Sequence, residues 1–166
     1  SFTRQHKLPA LCQIFFISLI LFFMEGVSYS LTPVQVDERQ NSISLGRNSE
    51  TLEDPDGRLT IYSVISEDYS KQFKPVKAEI PNFGFTKSVY WARLSVINNT
   101  GKDLHKNLEI GFPLLDRIEI YTFDKSSSGE LKLLNQNTTG RDFSFTTRAF
   151  KHRNFIFPVI IPGGSE

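Results

Sequence analysis

VYWARLSVINN, Val89 to Asn99, is the stretch on which the fold reading turns. Its side chains alternate with the two-residue period of a β-strand. Tyr90, Ala92, Leu94 and Val96 form one face, which reads as core. Trp91, Arg93, Ser95 and Ile97 form the other, and it sets the chain's only tryptophan two positions from an arginine. A sheet face of that chemistry can bind something.

Further strands follow on the C-terminal side. Asn98-Asn-Thr-Gly101 closes the first as a turn. Asn107 to Phe112 alternates, with Leu108, Ile110 and Phe112 opposite Glu109. Asp116 to Phe123 alternates as well, with Ile118 and Ile120 opposite Arg117, Glu119 and Tyr121. Ser126 to Gly129 reads as a hairpin loop, Leu131 to Leu134 as a short return strand and Asn135 to Gly140 as a loop. Phe155 to Ile161 is apolar on both faces, which suits a central strand or one covered by a second layer. On the N-terminal side, residues 31–50 read as an entry segment with a short strand at Ser42 to Leu45. Glu53-Asp-Pro-Asp-Gly57 is a turn signal. Leu59 to Ile65 reads as a strand or short helix, and Ser66 to Pro81 as loop with one short turn. Short strands with turn signals about every 8–12 residues indicate an all-β sandwich or barrel. After the turn at Pro162-Gly-Gly164 a further strand is expected, so the sequence reads as a fragment of a longer protein.

The 166 residues suffice for one domain with a real core, and an aromatic content of 13% requires a packed interior. A formal net charge of +1 offers no basic excess for nucleic acid. The first 30 residues are a separate object. Arg4, His6 and Lys7 precede an uncharged run from Leu8 to Met24, and Ser28 and Ser30 supply a small-residue exit. This is the pattern of a secretory signal peptide over residues 1–30, with cleavage after Ser30. An uncleaved anchor is the alternative, because the apolar run falls just short of the ~18 residues usually read as a span. The single cysteine, Cys12, lies inside this segment, so the remaining chain has no disulfide. That composition suits a bacterial envelope protein with a core large enough to stand alone.

Enzymatic constellations are absent from the sequence. His105 and His152 show no metal-ligand spacing. There is no nucleophile elbow, phosphate loop or cysteine nucleophile, so no catalytic role and no cofactor or metal is expected. The candidate ligand-binding residues are Arg93, Trp91, Glu109, Tyr121, Asp116 and Arg148. Sugars offer apolar C–H faces and hydroxyl rims; an aromatic ring covers the face, and Arg, Asp or Glu bonds the rim. Each candidate also has a plainer reading. Trp91 suits a tryptophan packed between two sheets. Arg93 and Glu109 suit a cross-strand ion pair, Tyr121 a packed aromatic and Asp116 a turn cap. Arg148 suits a surface position. Of the opening pair, Arg93 is the stronger candidate for a site.

Five pieces together resemble a known family: LEDPDGRLTI (Leu52–Ile61), NFGFTKSVYWARLSVIN (Asn82–Asn98), LEIGFPLLDRIEIYT (Leu108–Thr122), TGRDFSFTTRAF (Thr139–Phe150) and RNFIFPVIIPGG (Arg153–Gly164). They resemble the second type of extracellular domain in bacterial receptors with seven transmembrane helices and diverse intracellular signalling modules, 7TMR-DISM extracellular domain 2. The resemblance implies a jelly-roll-like β-sandwich akin to carbohydrate-binding modules over residues 45–166, missing its last strands. It implies an extracytoplasmic ligand-sensing domain that binds a small molecule or carbohydrate, with no catalysis of its own. The implied setting is the periplasmic or extracellular face of a bacterial inner membrane, joined to a seven-helix domain and a cytoplasmic output module. Alternatives are a protein-interaction or homodimerisation module of the receptor and a secreted carbohydrate-binding domain.

Overall fold

The computed structural model describes residues 31–164 apart from positions 41 and 127. The signal-peptide reading and Cys12 lie outside the described residues. The fold is all-β and sandwich-like, with a few short helical turns and, among the described residues, no closed barrel. Among the described residues nine strands form: β1 (Val34–Val36), β2 (Glu50–Asp54), β3 (Lys74–Pro75), β4 (Val89–Arg93), β5 (Val96–Asn98), β6 (Leu104–Ile110), β7 (Ile118–Lys125), β8 (Leu131–Thr139) and β9 (Phe155–Ile161). Two one-turn helices, α1 (Ile61–Val64) and α2 (Glu67–Ser70), stand between β2 and β3. A capping box starts α1, where the Thr60 and Ser63 side chains each accept from the other's backbone N–H.

The opening stretch is two strands. β4 runs antiparallel to β2, and β5 runs parallel to β1. Leu94 and Ser95 form the corner where the chain leaves one sheet for another, and the Ser95 carbonyl accepts from Val34 N–H at 2.8 Å. Strands that switch sheets at a bend are the usual way to fold a sandwich corner. The core face expected for this stretch is reversed within β4, whereas in β5 Val96 packs on the Val34 and Val36 cluster as expected. Ala92 is exposed, whereas Trp91 packs against Leu52, Val64 and Phe73 together with Leu59, Ile61 and Tyr69. The two helical turns between β2 and β3 carry Ile61, Val64 and Tyr69 to that side of the sheet, which alternation within β4 cannot reveal.

The remaining strands make two antiparallel pairs, β6 with β9 and β7 with β8. The return strand β8 is far longer than its expected Leu131–Leu134 span, because Asn135 to Thr139 extends the ladder instead of looping. A bulge between Thr122 and Phe123 shifts its register. In β9 only one face is buried: Phe155, Phe157 and Ile161 point inward, while Pro158 and Ile160 are exposed. Ile118 packs on Phe155 and Phe157, with Leu108, Ile110, Leu115 and Ile120 around them, and this joins the β7–β8 pair to β6–β9. A third cluster, Val34, Val36, Leu104 and Ile161, joins β1 to the same pair. Gly140 turns the chain after β8 at φ 147°, and any side chain there would strike the Asp116 carbonyl.

Asn98 closes the corner. It is 0% exposed, and its amide donates to the Ile161 carbonyl at 2.8 Å and the Lys102 carbonyl at 3.0 Å. Its side-chain oxygen accepts from the Thr100 N–H at 2.9 Å and the Thr100 hydroxyl at 2.6 Å. A fully satisfied buried amide of this kind fixes one geometry, and each partner left unpaired costs about 1–3 kcal/mol. Asn98→Asp replaces a donor by an acceptor facing two carbonyls. Urea unfolding of that variant is expected to show a loss of about 3 kcal/mol with an unchanged slope; a loss below about 0.5 kcal/mol would contradict this role.

Candidate functional site

Backbone register sets Glu50 opposite Arg93 and Leu52 opposite Trp91. Cross-strand pairs share a face, so all four side chains point toward the helical turns. The Glu50 side chain is 4% exposed and that of Arg93 30% exposed. Arg93 Nε and Nη2 donate to Glu50 Oε2 at 2.8 and 2.7 Å, and Nη1 donates to the Ser70 hydroxyl at 2.6 Å. The guanidinium also lies 4.2 Å from the Phe73 ring centre. Arg93 therefore pairs with Glu50 on the neighbouring strand and not with Glu109. Glu109 is exposed on β6 and accepts from the Asn154 amide at 2.5 Å.

Trp91 meets Tyr121 across the gap between two sheets, with ring centres 6.3 Å apart and planes at 29°. Arg117, just before β7, and Glu119 and Tyr121 on it alternate onto one face, opposite the buried Ile118 and half-buried Ile120. They form a chain of bonds along the strand. Arg117 Nε donates to Glu119 Oε1 at 2.8 Å, the Tyr121 hydroxyl donates to Glu119 Oε2, and Gln136 Nε2 of β8 reaches the Tyr121 oxygen at 3.4 Å. Burial and the bond to Glu119 push the Tyr121 phenol up to about 12. The Tyr121 and Arg117 bonds hold Glu119 below the usual carboxylate range against the effect of burial. The exposed Tyr62 of α1 is near enough for its phenol to add to the rise at Tyr121. Tyr121 thus stays a hydrogen-bond donor and Glu119 stays charged throughout the physiological range.

The other candidates sit apart from this group. Asp116 is exposed before β7 and pairs with Arg141 at 2.5 Å. Arg148 donates to the His152 and Arg153 carbonyls at 3.0 and 3.1 Å, and its guanidinium lies 4.2 Å from the Phe155 ring centre. The structure brings together Trp91 and Tyr121, with Arg93 one alternation along the strand. Glu119, Arg117, Gln136 and Tyr62 join that group and were not among the candidates. The alternation that put Glu119 and Arg117 on Tyr121's face was already visible, whereas Gln136 and Tyr62 required the strand register and the helical turn. None of the six candidates lines the shallow depression at the β7–β8 hairpin tip, formed by Asp124, Ser126, Glu130, Leu131 and Lys132. Among the described residues no three His, Cys, Asp or Glu side chains are grouped to hold a metal, and no helix is long and apolar enough to cross a membrane.

The fold defines the class of this protein, an all-β, sandwich-like domain. A family model described as 7TMR-DISM extracellular 2 matches residues 46–166. The chain belongs to this family, and with it to the extracellular sensor domains of transmembrane receptors. No curated protein and no solved structure matches it.

Asp54 supports this region from below. Its carboxylate accepts from the Arg58 N–H at 3.1 Å and the Leu59 N–H at 2.9 Å, which ties down the Pro55–Leu59 turn. The Trp91 indole N–H is buried without a hydrogen bond of good geometry, although it lies close enough to Asp54 to favour the carboxylate. Burial pushes the Asp54 group up, but the Leu59 and Arg58 N–H bonds, Trp91 and Gly57 together leave it below its ordinary value of 3.8. A carboxyl group lowered on folding contributes stability that is whole above its unfolded value and lost as pH falls through its folded value. Asp54→Asn is therefore expected to destabilise the domain near neutrality, with a deficit that shrinks as pH drops below about 4. Urea unfolding at a series of pH values checks this; a deficit independent of pH would refute it.

Proposed function

We propose that this domain senses a small molecule, with carbohydrate the favoured class, on the face of β7 beside Trp91. The observation that carries the reading is the hydrogen-bonded line Arg117–Glu119–Tyr121–Gln136, whose Tyr121 ring lies against the tryptophan ring. Aromatic surface suits the apolar face of a sugar, and a carboxylate, guanidinium and amide suit its hydroxyls. In this assignment Tyr121 and the partly exposed edge of Trp91 form the platform. Arg93 acts through Glu50 to hold the strand beneath it, while Glu109, Asp116 and Arg148 serve local structure through the contacts described above. The site lies on the periplasmic side of a bacterial inner membrane. Binding biases the attached seven-helix domain and its cytoplasmic output module, which requires different ligand affinities in two receptor states.

A second reading has its own observation. Among the described residues β8 pairs only with β7, and Leu131, Leu133 and Leu134 on it are exposed. An unpaired, partly apolar edge suits a protein-interaction or homodimerisation module. Thermal unfolding against a panel of sugars and metabolites separates the two. A ligand at a hundred times its Kd stabilises by about 2.7 kcal/mol, roughly 5–10 °C in a domain of this size. At least one compound is expected to give such a shift, and Tyr121→Phe and Glu119→Gln are each expected to weaken it about tenfold in affinity. Absence of any shift, together with concentration-dependent dimers in sedimentation, would replace the sensing role by the interaction role.

A further inference from the structure

The segment between β3 and β4 crosses from one end of β2 to the other. Val76 N–H bonds the Ser49 carbonyl before β2, and Val89 pairs with Asp54 at its far end. Between them lies Lys77-Ala-Glu-Ile-Pro-Asn-Phe-Gly-Phe-Thr-Lys87. Two of its apolar side chains have no cover: Phe85 is 112% exposed and Ile80 81%. The segment is nonetheless held in place. Phe83 stacks on Tyr90 with ring centres 3.9 Å apart, Asn82 Oδ1 accepts from Gly84 N–H at 2.9 Å, and Ser88 donates to Glu53 at 2.7 Å. Lys77 and Lys87 are exposed on either side of the apolar tip and outnumber the segment's one carboxylate, the exposed Glu79 beside Ile80.

Fully exposed Phe and Ile on a braced loop, flanked by cations, make an amphiphilic projection. Burial in water-free surroundings favours the tip, and attraction to anions favours its flanks. A lipid interface meets both demands in one place: apolar rings enter the acyl boundary while lysines stay among the phosphate groups. Membership in a family of receptor extracellular domains puts a bilayer within reach. We propose that the Lys77–Lys87 loop docks on the anionic surface of the membrane, with Phe85 and Ile80 inserted at the interface. This fixes the domain's orientation to the bilayer and is independent of which ligand the β7 face takes.

Fluorescence of the full chain bearing Phe85→Trp, compared with the unaltered chain, reads the position of residue 85 directly. The comparison isolates the added ring from Trp91, and it holds however the N-terminal segment meets the lipid. Residue 85 is fully exposed, so the substitution leaves the core untouched. With vesicles of phosphatidylglycerol and phosphatidylethanolamine, the added tryptophan is expected to shift to the blue and to be quenched at least about twofold by brominated acyl chains. The quenching is expected to fall with phosphatidylcholine vesicles, in about 0.5 M salt, and with Lys77→Ser/Lys87→Ser. Emission at residue 85 that stays water-like, or quenching equal on neutral and anionic vesicles, would overturn the proposal.

Discussion

A carboxylate buried at 4% exposure needs a partner, and Glu50 has one in Arg93. The fork of the guanidinium satisfies Glu50, binds the Ser70 hydroxyl and covers the Phe73 ring. One ion pair therefore joins β2, β4, α2 and the residue leading into β3. It also decides which way β4 faces. With Arg93 committed to Glu50, Trp91 must point to the same side, into the cluster of Leu52, Val64 and Phe73.

That orientation shapes the surface. Because Trp91 is sunk between two sheets, its exposed edge and Tyr121 are what it offers to solvent. The charge beside them comes from β7 through Glu119 and Arg117, not from Arg93. Asp54, at the end of β2, lies near the same tryptophan and ties down the turn that follows. The proposed ligand surface is thus assembled where two sheets meet, from residues about thirty positions apart in sequence that no local pattern connects.

The all-β class was legible because alternation and turn signals are local. β9 spans its expected residues from Phe155 to Ile161, and the turn at Asp54–Gly57 and the hairpin after Lys125 fall where expected. The family was legible too, through five pieces in order. What failed was sidedness. Tyr90 and Ala92 read as core and the opposite face as a possible binding surface, whereas Trp91 packs between two sheets, as its plainer reading had it, and beside it Arg93 turns inward. Only the pairing of β2 with β4 shows that Glu50 neutralises it. The extension of β8 through Asn135–Thr139 was hidden for a related reason. Polar residues were read as loop, yet β7 holds them in a ladder with the other edge in solvent.

The packing of β2 on β4 depends on the coupling between Glu50 and Arg93. A double-mutant cycle with Glu50→Gln and Arg93→Met, read by urea unfolding, measures it directly. Removing Arg93 alone leaves a buried charge and is expected to cost about 3–5 kcal/mol. Removing both is expected to cost much less than the sum, with a coupling energy of about 2 kcal/mol or more. A coupling within about 0.5 kcal/mol of zero would show that the two residues act independently and would contradict the inward orientation of β4.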